Sequence, residues 1–101
     1  MPMTAGEDRE INAFRLARER FLKESYPEEY DRMQKDGTLE ASLQETALEA
    51  KEMFDRVERQ IREQALAKPD ASFQDTAEAL KRAPVMASEV VAEELIQTPP
   101  S

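Results

Sequence analysis

The sequence contains no cysteine, no histidine and no tryptophan among its 101 residues. Without cysteine and histidine, the chain has no disulfide, no Cys/His zinc site, no thiolate nucleophile and no imidazole group for acid–base catalysis. Most common catalytic designs are therefore excluded. We expect a protein that is not an enzyme and that uses neither a cofactor nor a metal ion.

Glycine and long apolar runs are also scarce. The two glycines, Gly6 and Gly37, do not have the spacing of a phosphate-binding loop. No stretch approaches the roughly 18 consecutive apolar residues of a membrane helix, and the N-terminus lacks the basic and then apolar pattern of a signal peptide. We therefore expect a cytoplasmic protein with no membrane partner.

Charged residues make up much of what is present. The chain has 22 acidic and 14 basic residues, which gives a net charge of −8, and its aromatic residues are four Phe and two Tyr. This composition favours an all-α fold, because sheet cores use more β-branched and aromatic residues. An acidic surface repels nucleic acid, so no direct nucleic-acid partner is expected.

The first predicted helix covers about residues 5–24. Thr4 and Glu7 have the spacing of a capping box, in which a hydroxyl and a carboxylate cap the free backbone donors of a helix start. Arg15 and Arg18 belong to the only locally basic stretch and could touch phosphates from one face. Acidic residues lie among them, so a solvated helix surface is the favoured interpretation.

Two further helices follow, at about 27–35 and 39–67. Pro27 suits a first helical turn, and Gly37 can supply the left-handed residue that ends a helix. The second of these helices is the longest element, because neither Pro nor Gly occurs within it. Its apolar residues follow the alternating steps of three and four of a coiled coil. We define the central seam as five of them, and predict that it forms a protein interface: Leu43, Ala50, Phe54, Val57 and Ile61.

The C-terminal third is acidic and is interrupted by proline. Its signals predict helices over about 72–82 and 85–97, separated by Pro84, and a frayed tail. We divide the chain into a helical core, 1–68, and an acidic helical extension, 69–101. The expected architecture is a small helical bundle or hairpin built on the long central helix.

The last amphipathic stretch is a second candidate for binding. It could dock in the groove of a partner or imitate a run of phosphates. The alternative, which we favour, is that its apolar residues cover the long helix. The candidate residues are Glu89, Glu93, Glu94, Val91 and Leu95.

Residues 21–50 resemble the small transposon-encoded proteins of the TnpV type. The resemblance lies in a Pro-x-x-Tyr motif followed, at a fixed distance, by Gly-x-Leu-x-x-x-Leu. It implies carriage on a bacterial mobile element and an accessory role, and it transfers no catalytic residue. The matching residues are Leu22, Pro27, Tyr30, Gly37, Leu39, Leu43 and Ala50.

Two hypotheses for function follow. The first is a non-enzymatic accessory or adaptor protein of a mobile element, which forms a homodimer or binds a larger protein through the central seam. The second is an acidic inhibitor, such as an anti-defence protein or antitoxin, that occupies a basic nucleic-acid-handling partner. Salt separates the two, because a charge-driven complex weakens as ionic strength rises and an apolar one does not.

Overall fold

The computed structural model describes residues 4–70 and 72–100, and in these ranges the chain is helical with no strand. The all-α prediction, with one long central helix, is confirmed. The helices are α1 (Ala5–Ser25), α2 (Pro27–Asp36), α3 (Leu39–Ala67) and α4 (Phe73–Val91), and α4 is followed directly by a π-helical turn, Ala92–Ile96.

Local signals set the first helix boundaries as predicted. The Thr4 hydroxyl accepts a hydrogen bond from the backbone N–H of Glu7 at 3.1 Å, which caps α1. Pro27 occupies the first turn of α2. Gly37 ends that helix with φ at 76°, a left-handed conformation that costs a glycine little because it has no Cβ.

The helix α3 lies at the centre of the fold, and α1 packs along its first half in the antiparallel direction. Arg15 of α1 forms an ion pair with Glu40 at 3.2 Å, whereas Glu10, earlier in α1, pairs with Lys51, later in α3. The helix α4 also packs along α3 and makes the larger contact with it.

Lys51 of α3 pairs with one carboxylate of α1 and with one of its own helix. Its Nζ lies 2.8 Å from an oxygen of Asp55 and also pairs with Glu10. Partial burial alone would lower the pKa of Lys51, but its hydrogen bonds and charge interactions with Asp55 and Glu10 outweigh burial and raise it. The ammonium form is thus the one that this contact favours.

One part of the core lies where α1, α2 and α3 meet. Leu22, Tyr30, Leu39 and Leu43 are buried together there. The Tyr30 hydroxyl reaches the edge of this cluster and donates a hydrogen bond to the Glu19 carboxylate at 3.1 Å. The short helix α2 therefore closes one end of the bundle.

A second part of the core brings the C-terminal residues onto α1 and α3. Val91 and Ile96 are buried against Ala50 of α3. The rings of Phe14 and Phe54 complete this cluster, with centroids 6.0 Å apart and planes inclined at 56°. The C-terminal third thus contributes to the same core as the first two-thirds.

The prediction of separate helices at 72–82 and 85–97 is wrong, because α4 continues through Pro84. A proline inside a helix removes one backbone hydrogen bond and costs about 3 kcal/mol. Ala83 and Ala87, on either side, are fully buried and allow α4 to pack closely along α3. Packing of α4 on both sides of Pro84 offsets the local cost.

The molecule is long and thin. Its principal extents are 56 × 32 × 16 Å and its radius of gyration is 16.6 Å, against about 13 Å for a globular chain of this length. With Glu10 opposite Lys51, the start of α1 reaches about residue 56 of α3. Roughly the last three turns of α3 are therefore left to α4 alone.

None of the helices in residues 4–70 and 72–100 combines the length and the apolar character that crossing a membrane needs.

Candidate protein-binding groove

An open groove lies between the end of α3 and the start of α4, in the part of the molecule that α1 does not reach. We call it the hairpin groove, and its volume is about 770 Å³. The turn that joins the two helices closes one end of it. Its apolar lining consists of Ile61, Ala65, Pro69, Ala79 and Met86.

The groove follows from the sequence of the two helices. Ile61 ends the central seam, and Ala65 continues it one turn later. Small side chains at Ala65 and Ala79 leave space between the helices, where larger residues would fill it. Met86 lies at the other end of the groove, is 47% exposed, and has a flexible side chain that suits an adaptable binding surface.

Charges of both signs surround this apolar lining. They are two cations and three carboxylates, so the lining has a net charge of −1 in a chain of −8. None of the five forms an ion pair with another residue of 4–70 or 72–100. The charged lining residues are Lys68, Asp70, Asp75, Glu78 and Arg82.

Phe73 projects from the same end of the molecule. It lies on the α4 stripe that continues through Leu80, Ala87 and Val91, and the last two of these are fully buried. Phe73 itself is 91% exposed, because the stripe extends beyond the helices that cover it further along. Phe73 does not line the hairpin groove, because it lies on the opposite side of α4 from Arg82.

The residues of the central seam are divided between core and groove. Leu43 and Ala50 are fully buried within their own chain, and Phe54 packs on Phe14. Phe54, Val57 and Ile61 are half-buried. Ile61 is the seam residue that lines the hairpin groove. The predicted interface is thus covered by α1, α2 and α4 at its first part, and its last residue lines the hairpin groove.

The second set of predicted binding residues is also divided. Glu89, Glu93 and Glu94 are exposed, and none forms an ion pair with a residue in the described ranges. Val91 is fully buried, so its side chain is not available to a partner in this fold. Leu95 is half-buried beside the second part of the core.

Arg18 was predicted to be solvated, and this prediction is wrong. Its side chain is only 7% exposed, and its Nη1 donates to the carbonyl oxygens of Ile96 at 2.9 Å and Thr98 at 2.5 Å. Burial without an acidic partner lowers the pKa of the guanidinium. The Nε of Arg18 has no hydrogen-bond partner among the described residues.

Sequence reasoning missed the α4 wall of the hairpin groove. Ala79, Arg82 and Met86 are spaced by three and four residues, a signal for one helix face. Because Pro84 was assumed to end a helix, Ala79 and Arg82 were assigned to one predicted helix and Met86 to the next.

The carboxylates of residues 4–70 and 72–100 form no cluster of three or more that could hold a metal ion.

The sequence matches the family of the transposon-encoded protein TnpV over residues 2–96, well beyond the segment 21–50 that carried the resemblance. Searches of curated proteins and of solved structures give no match. Within the segment, Leu22, Tyr30 and Leu43 are core residues and Gly37 is a helix end, so these motif positions maintain the fold.

Proposed function

The chain belongs to the TnpV family of transposon-encoded proteins, and we propose that it acts as a non-enzymatic accessory protein that binds another protein through its helices. The surface that we assign to this binding is the hairpin groove. In this proposal the rest of the fold holds α3 and α4 at a fixed separation.

The observation that carries the proposal is the open apolar groove between the end of α3 and the start of α4. Binding grooves of helical proteins accept apolar side chains along a floor and charged groups along the rim. Here Ile61 and Met86 supply apolar lining, and Lys68, Glu78 and Arg82 supply charges that form no ion pair with a residue in the described ranges. The absence of cysteine and histidine from the sequence supports binding over catalysis.

The first test compares two neighbouring exposed residues of α4. Met86 lines the hairpin groove, whereas Val85 is 59% exposed and lies outside the groove lining. Met86→Glu should bury a carboxylate in any complex formed through the groove, and should weaken binding by at least about tenfold. Val85→Glu adds the same charge outside the groove and should bind as the wild type does.

The measurements are the mobilisation frequency of the parent transposon and the affinity for each purified protein that this transposon encodes, including the chain itself. Loss of binding and of mobilisation in Met86→Glu, with both retained in Val85→Glu, is the expected result. Equal behaviour of the two variants in both measurements would overturn the proposal that the groove is the binding surface. Circular dichroism of each variant verifies that the helices are kept.

A second candidate function is the acidic inhibitor. The observation in its favour is the exposure of Glu89, Glu93 and Glu94 without intrachain ion pairs among the described residues. A complex made through these carboxylates would weaken steeply with salt and on Glu89→Gln/Glu93→Gln substitution. A complex made through the groove would respond to Met86→Glu and much less to salt.

A further inference from the structure

We propose that Arg18 is the centre of a second binding site, which residues 96–98 cover in this structure. We call these three residues the closing segment. The ligand of the site is a polypeptide segment with an apolar side chain next to a carboxylate, and it binds by displacing the closing segment. The inference goes beyond the proposed function, because the site shares no residue with the hairpin groove.

The guanidinium of Arg18 is buried with only part of its hydrogen-bonding capacity used. Within the described ranges its hydrogen bonds come from Nη1, which donates to the carbonyl oxygens of Ile96 and Thr98 and to the Thr98 hydroxyl. The buried Nε has no partner among those residues. A buried donor without a partner is rare in folded proteins and costs free energy. The edge formed by Nε and Nη2 can bind a carboxylate through two parallel hydrogen bonds.

No carboxylate of the described residues neutralises this buried cation. The chain has 22 acidic residues, yet none in residues 4–70 or 72–100 forms an ion pair with Arg18. Carbonyl oxygens carry only a partial negative charge, so they offset less of the cost of burying the guanidinium than a carboxylate would. The site is therefore complementary to a carboxylate, although two carbonyls of its own chain occupy it.

A cavity with an apolar lining adjoins Arg18. The helices α1 and α4 both pack on α3, but within the described ranges their backbones do not approach each other. The space between them is a cavity of about 350 Å³, and its lining includes Phe14, Phe21 and Ile96. Phe21 also lies 5.8 Å from the guanidinium carbon of Arg18, and Ile96 supplies one of its carbonyl ligands. An apolar side chain in this cavity would therefore lie next to the guanidinium once Ile96 is displaced.

The closing segment can leave without undoing the rest of the fold. It begins at the end of the π-helical turn Ala92–Ile96, a rare form of helix that occurs often at functional sites. The first part of the core contains no residue of this turn, and Val91, the last residue of α4, packs on Ala50 of α3. Local opening of a short segment costs less free energy than global unfolding. The closing segment therefore competes with an outside segment for one site.

The first experiment compares two forms of one dipeptide as probes of the full chain. The probes are acetylated leucyl-isoleucine with a free C-terminal carboxylate and the same dipeptide with a C-terminal amide. We expect the chain to bind the carboxylate form at least about tenfold more tightly, as measured by NMR titration. The net charge of −8 opposes binding of an anion elsewhere on the surface. Arg18→Met keeps the apolar stem and removes the guanidinium, so it should lose the preference for the carboxylate form.

The second experiment tests whether the probe displaces the closing segment. Ile96→Ala weakens the packing of that segment, so the open form is more populated and the affinity for the carboxylate probe should rise by at least about fivefold. Ile11→Ala is the matched control, because Ile11 is 6% exposed and Ile96 is 5% exposed, but Ile11 does not line the cavity. It should leave the affinity unchanged. In the wild-type chain, amide hydrogen exchange in Ala92–Ile96 should become faster when the carboxylate probe binds.

Three results would overturn the inference. They are equal affinity of the wild-type chain for the two probes, an equal gain of affinity in Ile96→Ala and Ile11→Ala, and unchanged or slower hydrogen exchange in Ala92–Ile96 at saturating probe. The two measurements on the wild-type chain decide the question even if Arg18→Met does not fold. The proposed function is tested separately, because Met86 lines the hairpin groove and not this cavity.

Discussion

At the scale of single residues, Arg18 connects the first helix to the end of the chain. Its guanidinium donates to the backbone carbonyls of Ile96, the last residue of the π-helical turn, and of Thr98, two residues further on. Carbonyls at the end of a helix have no donor within the helix itself. The face of the Phe21 ring lies 5.8 Å from the guanidinium carbon. The charge of the guanidinium therefore stabilises the negative, C-terminal end of the helix. Burial of the same charge among apolar side chains is unfavourable.

We predict that Arg18→Ala lowers the free energy of unfolding by about 2–4 kcal/mol, because it leaves two carbonyls without donors and opens a space in the core. Urea unfolding measures the loss. Amide hydrogen exchange should show faster exchange in the π-helical turn Ala92–Ile96. Arg15→Ala, one turn earlier in α1, removes only the partly exposed pair with Glu40 and should cost less than about 1 kcal/mol.

Equal losses for the two arginine variants would mean that the carbonyl contacts of Arg18 contribute no more than an exposed ion pair. The comparison is well matched, because both substitutions remove the same side chain from neighbouring turns of α1. Their difference therefore reports burial and hydrogen bonding at Arg18.

At the scale of helices, α4 combines an interior proline with the most extensive packing on α3. The ring of Pro84 removes a backbone donor and displaces the carbonyl four residues earlier. The stripe through Leu80, Ala87 and Val91 nevertheless stays in register on both sides of it. The π-helical turn that follows begins the contact with Arg18, where the Gln97 N–H donates to the Ala92 carbonyl at 2.8 Å.

We predict that Pro84→Ala stabilises the protein by about 1–3 kcal/mol, since alanine restores the missing donor and favours the helix. Thermal unfolding monitored by circular dichroism measures the change. Val85→Ala, at the next and exposed position, should change stability by no more than about 0.5 kcal/mol. A less stable Pro84→Ala variant would show that the packing of α4 depends on the shape that proline imposes.

At the scale of the whole molecule, coverage of α3 decreases along its length. Leu43 is fully buried where α1, α2 and α3 meet, whereas Ile61 is half-buried in the region that α4 alone covers. The extended shape, 56 Å along its longest axis, follows from this arrangement. Stability should therefore be unevenly distributed between the two ends.

We predict that Leu43→Ala lowers the free energy of unfolding by about 3 kcal/mol and Ile61→Ala by about 1 kcal/mol. Urea unfolding of each variant measures the two values. Similar losses at Leu43 and Ile61 would contradict the uneven coverage described here.

Phe54→Asp should unfold the protein, because it would place an unpaired carboxylate beside Phe14 in the second part of the core.

The candidate site could be predicted only in part. The heptad spacing of α3 predicted that Ile61 is an interface residue, and the structure places it in the lining of the hairpin groove. The α4 wall was missed because a proline usually ends a helix, so Ala79 and Arg82 were assigned to one predicted helix and Met86 to the next. Phe73 falls within the helix predicted over about 72–82, and only the structure shows that its side chain is 91% exposed.

The sequence by itself determined the all-α fold, the capped start of α1 at Thr4 and the end of α2 at Gly37, because these signals act between residues a few positions apart. Only the tertiary structure decided that Arg18 is buried and that α4 continues through Pro84. Arg18 contacts a carbonyl 78 residues away, and α4 is held by packing along α3. Burial and packing depend on such distant contacts, which local sequence patterns do not specify.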